Sequence, residues 1–248
     1  MTKIQNTFSN IWLVLALIAV WDIYVRWAGF NAIVLPSPGA VFVSIVVDYD
    51  LYLPMAMKTL WVSVVGLILG TLLGAAFGIF GWLSAIASGM VSVSSIVVRS
   101  VPIVVFVPIL ATLIGYNTGM VIILVALMSF FPAFVMVSSG LASLSAAAND
   151  VSAVYGATKM RKLRYIALPA AMPNLFASVR LSASRAILAA MVAEFLTGIR
   201  GLGSLFLLAR ADLNNEVALG AAMVAAIAAL LLYYAAEWLE RSVNLHIN

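Results

Sequence analysis

Apart from Arg99, no charged side chain occurs anywhere between Lys58 and Asp150. A soluble domain of ordinary composition is about 25% charged and about 45–50% apolar; this chain is 9% charged and 65% apolar. A bilayer reverses the requirement, since each crossing asks for about 20 predominantly apolar residues. Six crossings would occupy about 120 positions and leave room for short connections only. The sequence is therefore expected to form an all-α integral membrane protein with six transmembrane helices, one membrane domain over residues 1–248. The absence of cysteine excludes disulfides, thiolate catalysis, zinc–thiolate sites and iron–sulfur clusters. The single histidine, His246, excludes a multi-histidine metal site, so no metal is expected.

The first apolar run extends from Ile11 to about Trp27, with Asp22 and Arg26 placed four apart so that they can pair. No A-x-A site follows it, and it reads as an uncleaved first helix. Leu35-Pro36-Ser37-Pro38-Gly39 then punctuates the chain before a short apolar stretch suited to an interfacial helix. Further spans are predicted at 59–82, 95–114, 119–139, 173–196 and 218–238. The one sizeable polar insertion, about 144–169, carries Lys159, Arg161, Lys162 and Arg164 against Asp150. By the positive-inside rule it faces the cytoplasm, which puts both termini there as well.

Several residues stand out against this apolar background. Gly66, Gly70, Gly74 and Gly78 recur every fourth residue, an inclined smooth ridge for close helix packing within the chain or with a second copy. Arg99, Pro102 and Pro108 interrupt the third span, and broken helices of that kind line transport pathways in some carriers. Ser178, Ser182 and Arg185 share a helical face by spacing, with Arg185 near mid-span, while Arg180 is expected to snorkel to cytoplasmic water. Glu194, nine residues past Arg185, lies on the opposite side of the helix and needs a partner in the Gly198–Gly203 turn or on another span. Two readings stay open: Arg185 and Glu194 as interior ion-pair members, or Ser178, Ser182, Arg185 and Glu194 as pathway residues.

The insertion has its own punctuation. Asn149 or Asp150 is placed to cap a short helix, Gly156 to end it in the left-handed conformation, and Thr158 to cap a second. Leu168-Pro169 is expected to close that second helix. The result is a compact basic knob, either a docking element or an ordinary hairpin. Its second half, Gly156 followed after nine intervening residues by Ile166-Ala167-Leu168-Pro169, resembles the signature loop of bacterial ABC importer permeases. That pattern opens with Glu-Ala-Ala, where this chain has Asp150-Val151-Ser152. Leu35-Pro36-Ser37-Pro38, Val101-Pro102 through Val107-Pro108, and Ala193-Glu194-Phe195-Leu196 leading to Gly201-Leu202-Gly203 are similar to the nitrate/sulfonate/taurine branch of these permeases.

The resemblance implies a type I importer permease of the bacterial inner membrane, paired with a second permease copy, commonly as a homodimer. Asp150, Val151, Ser152, Gly156, Ile166, Leu168 and Pro169 would belong to a loop seated on one of two cytoplasmic ATP-binding subunits. A periplasmic or lipid-anchored solute-binding protein would deliver a small anionic or heterocyclic solute. This chain would bind no cofactor and no nucleic acid; ATP and Mg would sit in the partner, and the chain has no G-x-x-x-x-G-K-[ST] of its own. The competing expectations are an ATP-independent transporter or channel, an intramembrane enzyme, for which no H-E-x-x-H or G-x-S-x-G is present, and a purely structural subunit.

Overall fold

The computed structural model describes residues 2–84 and 101–247, and regular structure among them is entirely helical. In chain order the helices are α1 (Thr2–Ala28), α2 (Pro38–Val47), α3 (Tyr49–Leu83), α4 (Ile103–Ile114) and α5 (Thr118–Ala142). They continue with α6 (Ala146–Val154), α7 (Lys159–Lys162), α8 (Leu168–Thr197), α9 (Leu202–Ala211) and α10 (Asn215–Ile247). By length and apolar composition, α3, α5, the α7–α8 stretch and α10 can each cross a bilayer. The 27 residues of α1 reach about 40 Å, and the expected Asp22–Arg26 pair is present at 2.7 Å. Arg99 and the first part of the expected third span lie outside the described residues. Pro102 is the N-cap residue of α4, in extended backbone, where its missing N–H costs nothing.

The glycine ridge settles against α5. A Cβ on Gly70 would lie 2.2 Å from the Ala126 carbonyl oxygen, and one on Gly74 would lie 2.3 Å from that of Phe130. Only hydrogen fits at such a distance, so the ridge is used within the chain, bringing the α3 and α5 backbones together. At the end of the bundle away from α6, Tyr52 of α3 meets Ser44 of α2 at 2.9 Å and donates to the Val217 carbonyl of α10 at 3.4 Å, fastening three elements. The proline-rich approach to α2 is held as well: Pro36 is fully buried, Ser37 caps α2 by accepting from the Ala40 N–H, and Asn215 donates to the Ile33 and Val34 carbonyls. α9 was not anticipated. It folds back beneath the turn after α8 and buries Leu202, Leu205 and Ala209 against α8 and α10.

Two expectations about the insertion are corrected. The cap of α6 is Ser145, whose Oγ accepts from the Ala148 N–H at 3.2 Å, and Asn149 and Asp150 lie inside the helix. Pro169 does not end anything. The chain runs through α7, a π-helical turn at Leu163–Ala167 and into α8 without a break. The wider turn pairs the Leu168 N–H with the Leu163 carbonyl, five residues back, and carries the chain to Pro169. Pro169 itself occupies the first turn of α8, where proline is accommodated.

Candidate functional site

Two places on this scaffold present chemistry that helix packing does not consume. The first is the knob formed by α6, α7 and the turn between them. Gly156 has φ +58; its N–H bonds to the Ala153 carbonyl and that of Ala157 to the Ser152 carbonyl, the paired bonds of a Schellman ending. Nothing lies within 4 Å of where its Cβ would be, so the demand for glycine comes from the backbone alone. Thr158 caps α7 as expected, accepting from the Arg161 N–H at 3.3 Å. Ser152 faces inward, whereas Val154 and Tyr155 are 84% and 82% exposed, joined by exposed Val151, Met160 and Tyr165. Asp150 and Pro169 are exposed, and Ile166 and Leu168 half-buried.

The knob is fastened at both sides. The π turn joins it to α8 through the chain itself, and Leu163 and Ala167 bury against Val137 and Leu141 of α5. Lys159, unnoticed in the sequence beyond its charge, reaches across to donate to the Leu83 carbonyl at 2.8 Å, the last residue of α3. Its ammonium also lies 5.6 Å from the Trp82 ring centre. A cation there complements the negative end of the α3 dipole and satisfies a carbonyl of its last turn. Lys162 adds a contact to Asn149 at 2.6 Å within the knob.

The second place is a cleft of about 580 Å³ between α4, α5 and α8. Arg185 lines it about 25 Å along α8 from Leu168 and about 18 Å from Thr197, hence near mid-span. Its other lining residues are apolar, among them Met128, Phe131, Pro132 and Leu188. Pro132 was overlooked in the sequence; it leaves the Met128 carbonyl without its helical donor, and both residues border the cleft. The shared face expected for Ser178, Ser182 and Arg185 divides. Ser178 and Ser182 are 0% and 1% exposed, continuous with the buried small residues Ala186, Ala189 and Ala193, and Ser178 donates to its own helix at Leu175. The cleft is lined by Leu181 and Arg185, whereas Ser178 and Ser182 are packed away from it. Arg180 does not snorkel either; it pairs with Glu240 of α10 at 3.0 Å.

Glu194 has no cationic partner among the described residues. Its carboxyl receives the Thr59 hydroxyl, with oxygens at 2.8 and 3.0 Å, and the Gly203 N–H at 3.0 Å. Thr59 in turn accepts from the Leu202 N–H at 2.9 Å. The turn and the other span anticipated as alternatives both supply partners, and the knot ties the start of α9 to α3 and α8. Gly201 and Gly203 admit the carboxyl because a Cβ on either would collide with Glu194 or with the backbone of α8. A buried carboxyl engaged in this way is a structural joint.

Known proteins agree with this geometry. The chain is 26% identical to a probable ABC transporter permease protein of Haemophilus influenzae, over 90% of this chain and 91% of that protein. It is 27% identical to a putative aliphatic sulfonates transport permease protein of Bacillus subtilis, over 78% of this chain and 71% of that protein. A chain of the MetNI methionine ABC transporter in an inward-facing conformation superposes with a TM-score of 0.68, covering 77% of this chain and 95% of that one at 19% identity, a likeness of fold. The family described as binding-protein-dependent transport system inner membrane component matches residues 64–247. That match spans most of the chain and includes both the knob and the cleft, and the protein belongs to this family of ABC importer permeases.

Proposed function

We propose that this chain forms half of the translocation path of an ATP-driven importer, paired with a second copy of itself. Two cytoplasmic ATPase subunits take the knob, and a solute-binding protein delivers to the opposite face. The observation that carries this reading is the knob: exposed Val151, Val154 and Tyr155 form an apolar surface outside the membrane spans, on a helix with a fixed ending. Apolar side chains displayed to water in a cluster mark a contact surface. Movement of a partner seated there reaches α8 through the π turn and α3 through Lys159. Arg185 faces the path, and the sulfonate permease among its relatives supports a small solute of anionic or heterocyclic type. Both termini are then cytoplasmic, at the inner membrane. No observation favours the ATP-independent alternative, because Glu194, one of the two candidate coupling charges, is consumed by the joint with Thr59 and Gly203.

The test is to purify the tagged chain from its own cells with whatever accompanies it, and to measure ATP hydrolysis in lipid nanodiscs. An ATPase should co-purify, and Gly156→Trp should leave the permease folded while hydrolysis no longer responds to the binding protein. Absence of any ATP-binding subunit, or an unaltered response in Gly156→Trp, would contradict the proposal.

A further inference from the structure

The cleft beside Arg185 restricts its occupant by charge, polarity and size together. Arg180 and Arg26 have carboxylate partners on the protein; Arg185 has no ion pair among the described residues and faces a space walled by hydrocarbon. A guanidinium near the middle of a span must meet water or an opposite charge, and since no described residue supplies the charge, that role falls to an incoming group. Its fork of donors matches a carboxylate or a similar oxyanion by two parallel hydrogen bonds. No other described lining residue carries a charge, so none of them would pair a second anionic group on the ligand. The volume of about 580 Å³ greatly exceeds one oxyanion, and the rest of the wall is apolar. An inorganic anion would leave that space unfilled and exchange a full hydration shell for one donor cluster. A quaternary ammonium would be repelled by Arg185 and would find a single aromatic ring, Phe131, where a cage is needed.

We infer that this cleft binds an organic monoanion with an apolar body, its oxyanion on the Arg185 guanidinium and its hydrocarbon against Met128, Phe131 and Leu188. The inference rests on the permease reading for its place in transport, but binding to the cleft is measurable whether or not an ATPase accompanies the chain.

The experiment uses the full-length chain, with the subunits that co-purify, in lipid nanodiscs at neutral pH, with radiolabelled pentanoate as probe and empty nanodiscs as the blank for partition into lipid. Pentanoate should bind saturably and at least about tenfold more tightly than acetate, because each buried methylene is worth about a factor of four. Nitrate and pentyltrimethylammonium should not displace it at matched ionic strength. Arg185→Gln should weaken binding about tenfold or more, and Arg185→Lys should weaken it less, since a charge remains but the fork is lost. Leu188→Trp keeps the arginine and fills the cleft, and should also abolish binding. No saturable pentanoate binding by the native chain, affinity for pentanoate no better than for acetate, displacement by nitrate or the ammonium, or unchanged binding in Arg185→Gln or Leu188→Trp would each overturn the inference. Failure of an ATPase to co-purify would instead count against the importer reading, and leaves these binding results to stand or fall alone.

Discussion

The two sides of α5 are built differently. Towards α3 the seam is closed: Gly70 and Gly74 let backbone meet backbone, and Gly66 and Gly78 make room for the side chains of Val125, Val137 and Ser138. Towards α8 the seam is tight near the knob, where Gly140 lies against Ala171 and Asn174 donates to the Met136 carbonyl. Deeper in, Phe131 and Pro132 face Leu181, Arg185 and Leu188 across an open cleft. Packing between membrane helices draws on close contact more than on exclusion of water, so the glycine seam is the stronger of the two. It makes α3 and α5 one wall, whereas the α5–α8 seam keeps a cleft. The knob is fastened to both, by the π turn to α8 and by Lys159 to α3.

The contrast can be broken from its strong side. Gly70→Leu places a side chain into the Ala126 carbonyl and should destabilise the fold by about 3 kcal/mol, the upper range of overpacking, seen as a large fall in the thermal unfolding midpoint of the purified protein. Glu194→Ala should cost about 2 kcal/mol, because the Gly203 N–H and Thr59 hydroxyl lose their acceptor while buried. The same unfolding assay reads it, with Thr59→Ala in a double-mutant cycle expected to be non-additive. Gly156→Ala should cost about 1 kcal/mol through its positive φ. That loss stays local: faster hydrogen exchange across 150–162 with the global midpoint nearly unchanged. On the open side Leu188→Trp, although it fills the cleft, should change stability by less than about 0.5 kcal/mol. A change there as large as that of Gly70→Leu would remove the distinction between the seams.

What the sequence disclosed follows from how local each feature is. Gly156 and Thr158 were legible because a left-handed ending and a hydroxyl cap are fixed by neighbours a few residues away. The cap at Ser145 was misplaced onto Asn149 or Asp150 because several residues of the insertion are competent caps, and the choice depends on where α5 stops. The glycine ridge was legible as a packing face, yet its partner was not, since nothing local connects Gly70 to Ala126. Glu194 evidently needed a partner, but Thr59 lies 135 residues away. The division of Ser178 and Ser182 from Arg185 reflects which neighbours pack over each residue of α8, a tertiary property that helical spacing does not carry. Pro169 misled because proline usually ends a helix, and only the preceding π turn shows how the chain continues.

The central claim is that the knob is held by an ATP-hydrolysing subunit, and the native chain has no cysteine. A single cysteine at Val154, 84% exposed, therefore gives a unique attachment point for a photoactivatable cross-linker in native membranes. The expected product is a covalent adduct with an ATP-binding protein, absent when the cysteine is placed instead at Leu72, exposed within the apolar α3. An adduct with no nucleotide-binding protein at Val154, from a variant that is folded and labelled, would contradict the account.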